Sequence, residues 1–537
     1  MRSPRKAAHP PRPVVPAPRD SHYAPFAAAL VAFGAYAALC PTVSGPGDGS
    51  EFTLVLATSG VAHPTGYPLY TLFGHGFVRL VHALGIAWPL AANLWSAVGG
   101  ATSVGFLYAL ASAWTRSITG ADAATRLLAT AIPVLLFAFQ PILQADATAG
   151  EVNSWSAAWV CMAGYVFLRL HAGLEGGRAD RRGAILWGLV CGAGLAHHLT
   201  SVLIAFPLTI ALVATAARRR RAWAPWLLLA AFAACVPVAS YGIIAWRAWH
   251  PALVQWPALA PNLASVLDHV TGDQYRHYIG YFAPAPDQRA LINQVALPFL
   301  GVGFAALLAG LVRAKDAGAR TVWAAFTAAA ALGTAFTFRY GVPDPAPYFV
   351  PAMALGAAAV APALAALAAP LRQSAAPALG VAALGALLIV APWVRDGAER
   401  RSEIADYEHL VRSMWAAVPA DTAIVFWPDD RYIHLREYQV LLGEKPAVTV
   451  LCPDLLLEDR TRAELERRFG VDPIAGHPVP RIAPGSPDAD RQIRQYFKEV
   501  IRSFNERVRI PVIVFDPSVP IVQQQKKPWE SPPPVAP

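Results

Sequence analysis

Residues 24–394 are dominated by long apolar runs, and the remainder of the chain by short ones broken by charge. Apolar stretches fall at about 24–40, 91–114, 124–143, 149–170, 184–198, 199–217, 222–246, 291–312, 320–338, 349–369 and 374–394. Most approach the roughly 20 residues that a helix needs to cross hydrocarbon about 30 Å thick. The pattern therefore predicts a polytopic α-helical membrane protein with about 11 transmembrane helices. The stretch Ala184–Ala217 also admits a single re-entrant pair. Tyr67–Leu84 is too short and too rich in Gly and His for a span, and reads as an interfacial segment.

Beyond residue 394 the period changes. Thr422–Trp427, Ala447–Cys452 and Val512–Phe515 are β-rich runs, whereas Arg462–Phe469 and Arg491–Arg507 show helical spacing with exposed charge. This predicts a soluble α/β domain over 395–522, followed by a Pro-rich disordered tail at 523–537. Residues 1–23 are basic and Pro-rich without an apolar core, which reads as a disordered cytoplasmic tail ahead of an uncleaved first span. No internal repeat is evident, and no Gly-rich phosphate loop follows a strand.

Composition sharpens the division. The chain of 537 residues is 55% hydrophobic and only 15% charged, with mean hydropathy +0.38, against about 25% charged in soluble domains. Charged residues make up about 8% of positions 24–394 and about 29% of 395–537. A soluble enzyme of this size is excluded. The net charge of +9 does not point to nucleic acid, because the basic residues sit in short clusters between apolar runs. With the N-terminus cytoplasmic, 17 Lys and Arg fall in inner segments and 5 in outer loops, the asymmetry of an integral membrane protein obeying the positive-inside rule. An odd number of spans then places the C-terminal domain outside an inner or plasma membrane. Cys40, Cys161, Cys191, Cys235 and Cys452 suggest buried small hydrophobes rather than disulfides.

The same topology turns Asp48, Glu51, Asp146, Glu151, Asp268, Asp273, Asp287 and Asp344 outward, mostly near span ends. Carboxylates at the edge of hydrocarbon are costly unless they serve a site. The densest cluster is the first outer loop, residues 41–90. Asp48 and Glu51 share a face if the loop is helical there. The run His63-Pro64-Thr65-Gly66-Tyr67-Pro68 cannot be regular helix, and reads as a rigid turn that presents His63 and Tyr67. An alternative for Asp48 alone is that it caps the helix beginning near Ser50.

These residues carry a resemblance. Gly47-Asp48-Gly49-Ser50-Glu51-Phe52 followed by His63-Pro64-Thr65-Gly66-Tyr67-Pro68-Leu69 looks like the signature of domain-of-unknown-function family 2723. That family is similar to transmembrane protein O-mannosyltransferases and the wider GT-C glycosyltransferases. Three further stretches resemble its segments: Glu151-Val152-Asn153-Ser154, Gly194 to Thr200 with His197-His198, and Tyr340-Gly341-Val342-Pro343-Asp344 with Tyr348-Phe349-Val350-Pro351. Asp421–Leu456, with Asp429-Asp430 and Tyr438, is also similar. Thr65 stands where the family usually has a second proline, and Asp48-Gly49-Ser50-Glu51 replaces its Asp-Ser-Gly-Glu order.

The resemblance implies a GT-C-like fold and transfer of a sugar, mannose by the same likeness, from a polyprenyl-phosphate carrier. The acceptor would be a protein hydroxyl or an envelope glycan or lipid at the extracytoplasmic face. A single displacement needs a general base for the acceptor and donors for the departing phosphate, and it inverts the anomeric carbon. Asp48 is the candidate base, with Glu51 orienting it or the acceptor. His63, Tyr67, Arg339 and Tyr340 are candidates for the phosphate, although a boundary arginine also snorkels. Glu151, His197, His198 and Asp344 are candidate substrate-binding residues, and Asp146 could line the sugar pocket with Glu151; packing is the alternative for the histidine pair, and an exposed loop for Asp146. Asp429-Asp430 could simply cap a turn. His63, His197, His198, Asp48 and Glu51 offer oxygen and nitrogen donors for a divalent ion, but the spacing does not require one, and neither metal nor cofactor is assigned. The expected partners are the lipid-linked donor, the acceptor and the bilayer, with no nucleic acid. The rival readings are a transporter or flippase of lipid-linked glycans, or a non-catalytic glycan-binding envelope protein.

Overall fold

The computed structural model describes residues 23–116, 121–177, 181–220, 224–254, 259–419, 422–427, 431–480, 489–508 and 512–514. Asp429-Asp430 and the two terminal tails lie outside them. The chain is mostly helical. It begins with α1 (Ala24–Leu39), α2 (Gly49–Thr58), α3 (Pro68–Ala83), α4 (Trp88–Thr115), α5 (Ala123–Phe139), α6 (Pro141–Ala147) and α7 (Asn153–Glu175). It continues with α8 (Arg181–His197), α9 (Val202–Arg218), α10 (Ala224–Trp249), α11 (Leu263–Thr271) and α12 (Pro286–Leu291). A π-helical turn at Ile292–Ala296 carries α12 into α13 (Leu297–Arg313), followed by α14 (Ala317–Thr337), α15 (Val350–Ala368) and α16 (Ala375–Ala417).

Among the described residues, seven helices are long and apolar enough to cross a membrane, or eight if the pair α5 and α6, bent by 63°, is one broken span. The chain is thus a polytopic membrane protein. Each apolar stretch of the sequence lies on one of these helices or on the shorter or less apolar α1, α8 and α14. Between Ala184 and Ala217 the structure has two helices joined by a single turn at Leu199–Ser201. The interfacial stretch is α3, whose Leu72, Phe73 and Leu80 are exposed.

α15 is the hub. It packs on α4, α5, α7, α13 and α14, and its buried face is built largely of alanine. Lipid offers no hydrophobic drive for helix association, so close van der Waals approach between small residues takes its place. One close crossing sets Gly303 of α13 against Gly356 of α15, where a Cβ on Gly303 would meet the Gly356 Cα at 2.7 Å. Around this hub lie Phe137, Phe167, Trp187, Phe326 and Phe349, all fully buried. By contrast α10 and the first half of α16 present Leu227, Val238, Val381, Leu384 and Leu388 outward, as lipid-facing helices do.

Helix ends gather at one pole of this bundle. Asn93 at the start of α4 donates to the Pro41 and Val43 carbonyls after α1, at 2.9 and 3.0 Å. Ser96 Oγ donates to the Glu151 carbonyl ahead of α7 at 2.8 Å. Arg401 of α16 donates to the Ala38 carbonyl at 2.7 Å.

α16 is 43 residues long and does not stop where the sequence pattern changes: residues 394 and 395 lie inside it. The break in apolarity marks where one continuous helix leaves lipid, not where an element ends. Its second half leads into a three-stranded parallel sheet of β1 (Ile424–Phe426), β2 (Thr449–Leu451) and β3 (Val512–Val514), ordered β2-β1-β3. Ile424 pairs with Thr449 on one side and Val512 on the other. Helices α17 (Arg431–Leu442), α18 (Asp459–Phe469) and α19 (Ala489–Val508) cover it, with Phe426, Leu465, Val500 and Phe504 in the core. α17 was not legible in the sequence, because both its faces are buried and its apolar positions lack a simple stripe. It packs on α2, and Leu54 of α2 joins Met414, Trp415, Tyr432, Leu435 and Tyr438 in one cluster. Four cysteines are buried and free, and Cys235 is exposed.

The Gly303–Gly356 contact makes a direct prediction. Gly303→Val should lower the thermal unfolding midpoint in detergent, reflecting a cost of roughly 1–3 kcal/mol of overpacking. Gly301→Ala, on the same helix with open space beside it, should leave the midpoint in place.

Candidate active site

The loop after α1 turns into α2 at Asp48, and nearly all of α2 is buried. Asp48 holds the N-cap position, yet its side chain makes no capping hydrogen bond, so the capping alternative is not what the structure shows. Its side chain is 46% exposed, whereas that of Glu51 is 4% exposed. A buried carboxylate must be paired or hydrogen-bonded, and Glu51 is both. The His63 backbone N–H donates to Glu51 Oε1 at 2.6 Å, and His63 Nδ1 lies 3.1 Å from both carboxylate oxygens.

The expected turn is present and is closed by the Gly66 N–H donating to the His63 carbonyl at 2.8 Å. Gly66 has φ +81°, a left-handed conformation that favours glycine, and a Cβ there would also press on His269 Nε2 at 3.1 Å. The turn delivers Tyr67 to the head of α3, where its hydroxyl lies 3.0 Å from His63 Nε2. The same Nε2 is 3.9 Å from Asp48 Oδ2. His63 therefore bridges the buried Glu51 and the accessible Asp48. Burial alone would lower its pKa, but the charges of Glu51 and Asp48, the hydrogen bond to Glu51 and the charge of Asp344 together raise it to about 9. His63 is an imidazolium at neutral pH, donating from Nδ1 to Glu51 and from Nε2 to the Tyr67 oxygen.

Glu151 enters from the start of α7, its backbone fixed in both directions by Ser96 Oγ. Desolvation pushes its carboxyl well up, and the charges of Asp48, Asp146, Asp344 and Glu51 push the same way. Both effects favour the protonated form, which can donate in a hydrogen bond. Asp344 sits in the loop between Pro343 and Pro345, exposed and within the field of His63. Asp146 is not in an exposed loop: it is buried on α6.

The two histidines separate. His197 is buried, with Nε2 3.1 Å from Ser156 Oγ. His198 caps the next turn through Nδ1, 2.7 Å from Thr200 Oγ1, and its ring faces Tyr67 and Tyr348, with centroids 5.6 and 5.9 Å away. Both line a cavity of about 40 Å³ with Ser156, Thr200 and Tyr348. Tyr340 is buried and packs edge-on against Tyr348 at 5.1 Å. The neighbouring Arg339 does not join them. Its side chain is exposed, and its backbone carbonyl accepts from the Gly280 N–H at 2.8 Å, pairing the loop with the segment after α11.

Several residues here had no signal in the sequence. Tyr275 faces His63 with ring centroids 6.3 Å apart. His269 of α11 lies behind Gly66, and its pKa is lowered to about 4 by burial, with the charge of His63 acting the same way. Arg400 of α16 donates to the Ala145 carbonyl and Thr148 Oγ1 at 3.0 and 2.6 Å, and it faces Asp146 and Glu151. Glu437 of α17 faces Ser44 and Ser50 on the Asp48 loop, and burial raises it to about 7. Their partners lie hundreds of residues away; only the charge of Arg400, just beyond the last apolar run, offered a hint.

One ligand atom from each of Asp48, Glu51 and His63 lies within 4.8 Å of the others, close enough to hold a metal ion. A divalent cation would have to displace the His63 proton, which already supplies positive charge between the two carboxylates.

The fold and this site define a polytopic membrane protein with a carboxylate–imidazolium cluster at one pole of its helix bundle. Residues 48–222 match the family described as the N-terminal domain of protein O-mannosyl-transferase TMEM260. Over 177 residues the chain is 29% identical to protein O-mannosyl-transferase tmem260 of Dictyostelium discoideum, a match covering 31% of this chain and 20% of that protein. The chain is thus similar to O-mannosyltransferases over about a third of its length, and the match spans about a fifth of that relative's length. The matched stretch begins at Asp48 and takes in Glu51, His63, Tyr67, Glu151, His197 and His198; Arg339, Tyr340 and Asp344 lie beyond it. Among solved structures, ArnT from Cupriavidus metallidurans bound to undecaprenyl phosphate is 14% identical with TM-score 0.49, covering 82% of this chain and 94% of that one. The archaeal oligosaccharyltransferase AglB from Archaeoglobus fulgidus, in complex with an inhibitory peptide and a dolichol-phosphate, is 13% identical with TM-score 0.47, covering 77% and 63%.

The raised His63 pKa fixes a pH dependence. The protonated form is favoured by folding, so its contribution is complete below the ordinary histidine value near 6.5 and is lost as pH rises through about 9. Wild-type thermal stability should fall between about pH 6.5 and 9, by up to on the order of 3 kcal/mol. His63→Gln should be less stable at neutral pH and should lack that alkaline slope. An unchanged slope in the variant would contradict the assignment.

Proposed function

We propose that this chain is a GT-C-type glycosyltransferase that moves a sugar from a polyprenyl-phosphate carrier to a hydroxyl acceptor at the extracytoplasmic face. The observation that carries the reading is the Glu51–His63–Asp48 arrangement, in which one carboxylate is buried as an anchor and the other is left accessible. The similarity of residues 48–222 to protein O-mannosyl-transferases makes mannose the sugar and a protein hydroxyl the first acceptor to test.

Asp48 takes the proton of the acceptor hydroxyl. The acceptor oxygen bonds to the anomeric carbon, the bond from that carbon to the phosphate oxygen breaks, and its electron pair leaves on the polyprenyl phosphate. A single displacement inverts the anomeric configuration. Glu51 positions His63, and the imidazolium with Tyr67 provides positive charge and a hydrogen-bond donor beside the reacting groups. Glu151, whose burial favours the protonated form, surrounds the sugar and phosphate with His198, Tyr340 and Asp344. His197 supports them through Ser156, and Arg400 supplies the cation that Arg339 was expected to bring. The reaction so written uses no metal.

The topology belongs to the same proposal: eleven spans, a cytoplasmic N-terminus, and the unit that follows α16 outside with the catalytic pole. Carboxylates gathered at one pole weigh against a transporter, whose ionisable groups lie near the membrane midplane.

The full chain in nanodiscs, given radiolabelled polyprenyl-phosphate-mannose and acceptor peptide, should transfer label with or without EDTA. Asp48→Asn should lower kcat roughly 10²- to 10⁴-fold in a folded protein whose unfolding midpoint falls less than that of His63→Gln. Near-normal turnover by Asp48→Asn would overturn the assignment, and lipid flipping without transfer would favour a transporter.

A further inference from the structure

The pole opposite Asp48 holds a cavity of about 1110 Å³ that the proposed reaction does not use. Its wall is formed by the start of α1, the end of α4, the start of α5, the end of α7 and the start of α14. α4 alone, 28 residues long, separates the two poles by about 40 Å at 1.5 Å per residue.

The chemistry of the wall is that of an anion site with an apolar back. Arg116, Arg126 and Arg169 line it together with Tyr108 and Tyr165. Arg126 is anchored by one guanidinium N–H donated to the Ala121 carbonyl at 3.0 Å. The two acids on the wall are already engaged. Glu175 is bound by both Arg218 and Arg219, and Asp316 caps α14 by accepting from the Ala319 N–H at 2.8 Å. His171 supplies a separate sign of a missing partner. It is 5% exposed, lines the cavity, and its Nε2 makes no hydrogen bond among the described residues, the nearest carboxylate being Glu175 Oε1 at 3.9 Å. A buried polar nitrogen without a partner is costly, and an oxygen-rich headgroup in the cavity would satisfy it.

Size and the remaining lining decide what kind of anion fits. Sites for drug-sized ligands span roughly 300–1,000 Å³, so the cavity has far more room than inorganic phosphate needs. Leu127, Leu168 and Trp323 provide a wall against which hydrocarbon can lie. Basic pockets between transmembrane helices near the membrane surface take phosphate-bearing lipid headgroups. We propose that this cavity is a binding site for an anionic phospholipid, its phosphate held by Arg116, Arg126 and Arg169 and one chain laid along the apolar wall. The site is separate from the transferase reading and stands or falls independently of it.

The test is native mass spectrometry of the delipidated full chain titrated with phosphatidylglycerol, diacylglycerol and inorganic phosphate. Phosphatidylglycerol should bind at least about tenfold more tightly than diacylglycerol, and inorganic phosphate in large excess should not displace it. The double variant Arg126→Gln/Arg169→Gln should lose about tenfold in that affinity, while Asp48→Asn binds as wild type. Ala172→Trp, which fills the cavity without removing charge, should lose the lipid too, and it carries the test if the arginine variant does not fold. Equal binding of diacylglycerol, displacement by free phosphate, or wild-type affinity in the folded variants would each overturn the proposal.

Discussion

The site depends on a single buried contact, the clasp between Glu51 and His63. A carboxylate whose side chain is 4% exposed cannot remain without compensation, and Glu51 is compensated from one residue by a backbone N–H and a ring nitrogen together. That double grip fixes the turn through Gly66, sets the ring angle of His63, and through His63 reaches both the Tyr67 hydroxyl and the Asp48 carboxylate. Removing one partner of a buried ion pair costs far more than the pair contributes, because the other charge is stranded. The clasp is therefore both a folding constraint on the first loop and the means by which an accessible carboxylate is held beside a positive charge.

What holds the clasp in place comes largely from the other end of the chain. α2 is short and could not persist alone; it is stabilised by burial between the helix bundle and α17. Leu54 lies in the core of the C-terminal unit, and Glu437 faces the two serines that flank Asp48. α17 is tied to α16 through Glu408, which accepts from the Tyr438 hydroxyl at 2.6 Å and lies 3.0 Å from His434 Nε2. Because α16 is one unbroken helix, Arg400 and Glu408 sit on the same rod as the lipid-facing leucines. The α/β unit thus acts as a brace for the reactive loop rather than an appendage.

Much of this was legible from local chemistry. Apolar runs of spanning length became helices because backbone polar groups in lipid must be satisfied within the segment, and a run with two prolines and a glycine had to be a turn. The pairing of Asp48 and Glu51 with His63 was readable as a cluster, but their division of labour was not. Which carboxylate is buried depends on α17, whose packing leaves no periodic trace. Arg339 and Arg400 illustrate the same limit from opposite sides. Arg339 follows the end of α14 and Arg400 lies within α16, and only tertiary packing turns one toward the acids and leaves the other in solvent. The residues Tyr275 and His269 are ordinary helix residues until the fold brings them against His63 and Gly66.

The central claim is that Glu51 acts on Asp48 through His63, and a double-mutant cycle on kcat addresses it most directly. Glu51→Gln should lower turnover sharply in the wild-type background and far less in the His63→Gln background, because the relay is already cut. Independent, multiplicative losses in the double variant would show that Glu51 and His63 do not act as one unit, and would contradict this account of the site.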